Sequence, residues 1–256
     1  MARANRSVLP GCAYHVTHRC HDRQFLLKFV RDRQAYRTWL REGLTRQTVQ
    51  VLTYCITSNH VHLLVRAETV EELSRLMQYV EGGVAQAYNR RKGRAGAFWS
   101  DRYHATMIED GIHLWRCLCY IDLNMVRARA VGHPREWVWT GWHELMGEQR
   151  RNRLVDFAAV LDAVGCQRAS DFRGHYAQMI TDTLARGTLE REPLWTEAVA
   201  IGSPAFVADV ERDLLKDCTR KRLETTASEH GAMVLRETAG GYGSKKAPGN
   251  RAIDTF

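Results

Sequence analysis

The sequence predicts an α+β fold: a ferredoxin-like split βαβ antiparallel sheet with an added C-terminal helical region. Three observations carry this. Up to about residue 110, segments suited to strands and helices follow in the order strand, helix, strand, strand, helix, strand. The Thr57-Ser58-Asn59 turn joins two runs as a hairpin. Beyond residue 147 the apolar spacing is helical, punctuated by Gly165, Gly187 and Gly202-Ser203-Pro204.

The elements follow in order. Residues 11–20 read as a strand after a Pro-Gly turn. Residues 31–44 read as a helix, with Tyr36, Leu40 and Leu44 four apart. Residues 49–57, β-branched and aromatic, and 60–66 form the hairpin. Residues 69–90 place Leu73, Leu76, Met77, Val80 and Val84 on one stripe, and a basic Gly-containing loop follows. Residues 102–109 make the fourth strand and 111–129 one further helix. The two inner helices should cover one face of the sheet, leaving the other for a ligand or another chain. The chain then divides into residues 1–146 as the chemical domain, 147–222 as a helical extension, and 223–256 as a Gly- and Thr-rich flexible tail.

Composition excludes whole classes. With 256 residues, 45% hydrophobic and 26% charged, the chain is globular rather than disordered or fibrous. No apolar run reaches the roughly 18–20 residues of a membrane helix. The polar N-terminus lacks a secretory h-region, so a cytoplasmic location and no membrane partner are expected. Seven cysteines without a Cys-x-x-Cys pair point to reduced structural thiols rather than disulfides or zinc. The net charge is +8. Residues 1–143 hold 21 Lys and Arg against 12 Asp and Glu, whereas the remainder is near neutral. A basic domain beside a neutral one suits a polyanion partner.

Two constellations carry chemistry. In His60-Val61-His62 both imidazoles share one strand face, and with outside help they can hold one metal ion. On the helix after the fourth strand, Arg116, Tyr120, Asn124 and Arg127 line one face at spacings of four, four and three. A phenol can attack a phosphodiester and form a phosphotyrosine, while a divalent ion polarises the phosphoryl oxygen. Asn124, one turn from Tyr120, can supply a third ligand. Two imidazoles and an amide oxygen bind Mg²⁺ weakly and Mn²⁺ better.

Together these residues resemble a known family. Ser58-Asn59-His60-Val61-His62-Leu63-Leu64-Val65 is similar to the His-hydrophobe-His (HUH) signature of single-tyrosine transposases. Tyr120-Ile121-Asp122-Leu123-Asn124 resembles their tyrosine helix, Tyr14-His15-Val16-Thr17-His18-Arg19 their first strand, and Phe98-Trp99-Ser100-Asp101-Arg102-Tyr103 the segment before their fourth strand. The branch most resembled is the REP-associated tyrosine transposases, over about residues 7–146. Met125 stands where that family usually has Pro, which lets the helix run on. Trp139-Thr140-Gly141-Trp142 departs from the family's Trp-Ser-Ser-Tyr-like stretch.

The resemblance implies an HUH-type fold and a metal-dependent single-stranded DNA endonuclease and strand-transferase acting on REP-like hairpins. It implies Tyr120 as nucleophile, and His60, His62 and Asn124 as ligands of Mg²⁺ or Mn²⁺. The candidate DNA contacts are Arg116, Arg127, Arg90, Arg91, Lys92, Arg94, Arg19, Arg3 and Arg6. Arg116 and the bound cation are expected to lower the Tyr120 pKa, so that activity rises with pH. Monomer and homodimer both stay open. The alternative from another class is a catalytically inactive hairpin-binding protein. A metal-independent phosphoesterase built on His15-Val16-Thr17 ranks below both, because no second His-x-Thr partner is present.

Overall fold

The computed structural model describes residues 9, 12–148, 151–187, 189–217, 222–228 and 231–238. The expected core order is present. β1 (Ala13–Arg19) leads to α1 (Val30–Leu44), the hairpin β2 (Val49–Ile56) and β3 (His60–Ala67), α2 (Val70–Lys92) and β4 (His104–Ile108). These four strands lie in the order β2-β3-β1-β4, all neighbours antiparallel, which is the split βαβ arrangement. The Thr69 side chain caps α2 by accepting from the Glu72 N–H, and Gly93 ends it with a left-handed φ of 56°. The predicted stripe Leu73, Leu76, Met77, Val80 and Val84 is its buried side, packed with α1 on one face of the sheet.

The other face is not left open. α3 (Ile112–Asp122) and α4 (Asn124–Arg127) follow β4, and α3 lies against β2, β3 and β4. After α5 (Trp142–Leu145), α6 (Phe157–Ala163) packs on β2 and α7 (Ala169–Arg186) on α3. The 111–129 segment is therefore two helices. In an unbroken helix the Asn124 N–H would bond the Tyr120 carbonyl; here Arg127 Nη2 donates to that carbonyl at 2.6 Å. Met125 in place of Pro does not make the helix continuous.

The later chain also departs from the expected layout. α8 (Leu194–Glu197) precedes β5 (Ala200–Gly202), which pairs parallel to β4. α9 (Pro204–Asp217) is followed by β6 (Leu223–Ala227) and β7 (Met233–Glu237). The full sheet runs β2-β3-β1-β4-β5-β7-β6. Thus the region from residue 223, expected as a flexible tail, supplies a hairpin to the sheet before the described residues end at 238. The reason is non-local. β7 finds its partner in β5, and Val234 and Leu235 bury their side chains there.

One buried carboxylate ties the α3 face together. Asp122 accepts from Thr140 Oγ1 at 2.5 Å, Tyr176 Oη at 2.6 Å and Thr53 Oγ1 at 3.3 Å. Burial pushes its pKa up to about 6, against the pull of those three hydroxyls. Next to Thr140, Gly141 runs so close to β2 that a Cβ would sit 2.2 Å from Thr53 Oγ1. The departing Thr140-Gly141 pair is therefore fitted to this contact. Asp122→Ala should strand three hydroxyls in the core and lower stability by about 3 kcal/mol or more. The shift of a denaturant midpoint measures it, with Thr140→Val as the single-bond control.

Candidate active site

Strand alternation places His60, His62 and Leu64 toward α3, and Val61, Leu63 and Val65 toward α1 and α2. The β1–β3 register puts Arg19 opposite His60, Thr17 opposite His62 and His15 opposite Leu64, so His15, Thr17 and Arg19 share the α3 face. The turn before β3 orients the first imidazole. Asn59 Nδ2 donates to the Arg23 carbonyl at 3.0 Å, which aims Asn59 Oδ1 at His60 Nδ1, 2.7 Å away. An amide oxygen only accepts, so His60 carries its proton on Nδ1 and keeps a lone pair on Nε2. Burial, with Arg19 nearby, pushes the His60 pKa down to about 4.

The second imidazole lies deeper. His62 Nε2 is 2.9 Å from Asn124 Nδ2, and the His60 and His62 rings are 4.9 Å apart. The Asn124 side chain also bonds His60. Two imidazoles and one amide from β3 and α4 thus meet at one point. Burial, reinforced by His60 and His15, holds the His62 pKa well below its ordinary value. Among the described residues no three His, Cys, Asp or Glu side chains cluster to bind a metal. Two neutral nitrogens plus an amide that can turn its oxygen inward form a donor set that fits a divalent ion with open positions.

Tyr120 stands beside this set. Its ring centroid is 6.2 Å from that of His62 and 6.0 Å from that of His15. The Arg127 guanidinium lies 4.1 Å from the ring centre. Trp195, from α8, covers the ring at 5.7 Å and leaves Tyr120 only 6% exposed. That burial raises the Tyr120 pKa, opposed by Arg127 and Arg191. The expected lowering by Arg116 is therefore corrected: burial dominates, and other arginines oppose it. Arg116 lines the cavity that Tyr120 and Arg127 share with α7.

The other predicted DNA contacts fall into three groups. Arg19 lines a cleft beside His60 and His62, joined there by Arg23, Arg102 and Arg191. Arg91 is drawn into an ion pair with the buried Asp32, and Arg94 ties its own loop by donating to Asn89 Oδ1 and the Ala97 carbonyl. These two are part of the scaffold, whereas Arg90 and Lys92 are exposed at the end of α2. Arg3 and Arg6 lie outside the described residues. Sequence reasoning missed Arg102 and Arg191 as cleft residues, and offered His15 only within the lowest-ranked His-x-Thr reading. Nothing in the local pattern around Arg191 signals that the extension returns to β1 and β4.

The fold and the site together define a class: a ferredoxin-like sheet whose His-hydrophobe-His strand faces a tyrosine from a following helix. Residues 8–124 match the family model described as IS200-like transposase. Over those residues, a little under half of the chain, the sequence is similar to the transposases of this family. Among solved structures, one described as a REP-associated tyrosine transposase bound to a REP hairpin is 15% identical with a TM-score of 0.48, covering 61% of this chain and 93% of that one. A candidate transposase from Deinococcus radiodurans R1 is 15% identical with a TM-score of 0.32, covering 41% and 84%. Both likenesses are too remote to transfer a residue's role. No curated protein matches the chain.

Proposed function

We propose that this protein is a metal-dependent single-stranded DNA endonuclease and strand-transferase that cleaves beside DNA hairpins through a covalent 5′-phosphotyrosine at Tyr120. The observation that carries the reading is the meeting, within one chain, of His60, His62 and Asn124 with the Tyr120 ring next to them. His60 Nε2, His62 Nε2 and the Asn124 amide oxygen would hold Mg²⁺ or Mn²⁺. The ion would supply Lewis-acid polarisation of a phosphoryl oxygen and charge neutralisation. The hairpin preference comes from the motif resemblance.

The chain's own groups account for the remaining chemistry. The Tyr120 phenol loses its proton and its oxygen bonds to phosphorus. The bond from phosphorus to the 3′-oxygen breaks, and that oxygen leaves as a hydroxyl after taking a proton. Arg127 and Arg191 favour the phenolate against the burial that disfavours it. Attack by a 3′-hydroxyl on the phosphotyrosine reverses these changes and rejoins DNA without another energy source. Arg19, Arg23, Arg102 and Arg191 give the cleft beside the imidazoles its positive lining. No helix among the described residues is long and apolar enough to cross a membrane.

Two exposed aromatics suit unpaired bases. Phe25 is 66% and Phe29 55% exposed, and Lys28 and Lys92 approach the Phe29 ring at 6.0 and 5.6 Å. Bases stack on such rings while the cations meet phosphates. Phe25→Ala with Phe29→Ala should weaken binding to single-stranded flanks about tenfold or more. Fluorescence anisotropy should show little change for a blunt duplex.

A second reading, a hairpin-binding protein without catalysis, draws on the cover of Trp195 over Tyr120. One experiment separates the two. Labelled single-stranded hairpins from the gene's own flanks are incubated with the protein and Mn²⁺, then run on a denaturing gel. The endonuclease yields a covalent band that EDTA abolishes. Binding without any band would establish the second reading instead.

A further inference from the structure

We infer that His15 is a positioning residue which, held by the main chain of the C-terminal extension, decides which nitrogen of His62 carries the proton. The inference rests on the function proposed above and extends it to a residue outside the ligand set. It begins with a carbonyl. The Trp195 oxygen has lone pairs and no hydrogen, and His15 Nδ1 lies 2.7 Å from it. His15 must therefore donate from Nδ1. His15 is fully enclosed by the fold, and a neutral imidazole has only one N–H. Its Nε2 is then an acceptor.

That acceptor lies 2.8 Å from His62 Nδ1. His62 must donate from Nδ1, and its lone pair is left on Nε2, the atom facing Asn124. The two rings stack at 5.0 Å with 22° between their planes, so the donor and acceptor are held in one orientation. His60 reaches the same tautomer by a separate route, through Asn59. Both imidazoles consequently turn a lone pair toward the same amide without rearrangement.

Trp195 lies beyond residues 8–124, which match the transposase family. Its segment is pinned to the sheet where Thr106 Oγ1 donates to the Ala198 carbonyl at 2.8 Å. The extension thereby supplies the first group in a carbonyl–imidazole–imidazole chain that ends at the candidate cation site. Outer partners of metal-bound histidines typically change affinity 10- to 100-fold when removed.

The test uses the full chain and Mn²⁺ alone as the probe. In metal-free wild-type protein labelled with ¹⁵N-histidine, NMR should show His15 and His62 each protonated on Nδ1 and bare on Nε2. His15→Leu, which offers no acceptor, should lose the single His62 tautomer and bind Mn²⁺ about 10- to 100-fold more weakly by electron paramagnetic resonance titration. His15→Gln, which restores an acceptor oxygen, should recover affinity to within a few-fold. A His62 protonated on Nε2 in the wild type would overturn the inference. So would wild-type affinity in His15→Leu, or a Gln variant no better than Leu. The wild-type NMR reading decides the question even if a variant fails to fold. Absence of Mn²⁺ binding in wild type, with the tautomers as stated, would instead count against the metal site of the proposed function.

Discussion

Tyr120→Phe should abolish the covalent DNA adduct and lower strand cleavage by roughly 10⁴-fold or more, while hairpin binding stays within a few-fold of wild type. The substitution keeps the ring that Trp195 and Arg127 pack against and removes only the oxygen. Loss of fold is therefore not the expected cause of inactivity, and an unchanged melting temperature checks this. Peptide mapping of the wild-type adduct should place the nucleotide on Tyr120. An adduct on the Phe variant, or one mapped to another residue, would remove Tyr120 from its role. With metal saturating and chemistry rate-limiting, the wild-type rate should climb with pH above neutrality as the phenol gives way to phenolate. Burial raises the pKa of this phenol.

The second large effect is on stability in acid. Burial pushes the His15 pKa down to about 3 and that of His60 to about 4, and holds that of His62 well below the ordinary value. A base whose folded pKa is depressed adds stability that is present above its unfolded value, near 6.5, and lost as pH falls toward the folded value. His15 and His60 together should forfeit on the order of 5 kcal/mol between pH 7 and pH 4. Asp122 acts in the opposite sense. Its pKa is raised to about 6, so its protonated form is favoured as pH falls, returning on the order of 2 kcal/mol. The histidines dominate by about 3 kcal/mol at pH 4, so a domain at the low end of ordinary stability should reach its acid midpoint near or below pH 4. Circular dichroism against pH measures the midpoint. Saturating Mn²⁺ should move it lower, because a bound cation requires neutral imidazoles.

Much of the site is legible from two periods. A repeat of two puts His60 and His62 on one side of a strand, and a repeat near 3.6 puts Tyr120 and Asn124 one turn apart, a proximity that survives the break between α3 and α4. Their meeting depends on α3 crossing β3 on the sheet face that the split βαβ order leaves open, which that order alone does not dictate. The contact of His15 with His62 was not legible because it depends on the register of β1 against β3, a pairing 47 residues apart for these two side chains. Arg91 and Arg94 show the converse. A basic loop reads as a phosphate track, yet the buried Asp32 claims one guanidinium and the loop's own backbone claims part of the other. The β6–β7 hairpin escaped because Gly- and Thr-rich chain lacks a local strand signal. Its order comes from β5, which continues the sheet beyond β4.

That continuation also limits how two molecules can associate. The outer hydrogen-bonding groups of β4 are engaged by β5 and by Val199 and Ile201 of the same chain. Along β2, Val51, Tyr54 and Ile56 are already bonded to Asp156, Gly141 and Trp139. Both rims of the four-stranded unit are thus substantially sealed from within, and among the described residues the sheet's open edge passes to β6 at its far end. Two such molecules could add strand to strand there, well away from the strand that carries His60 and His62.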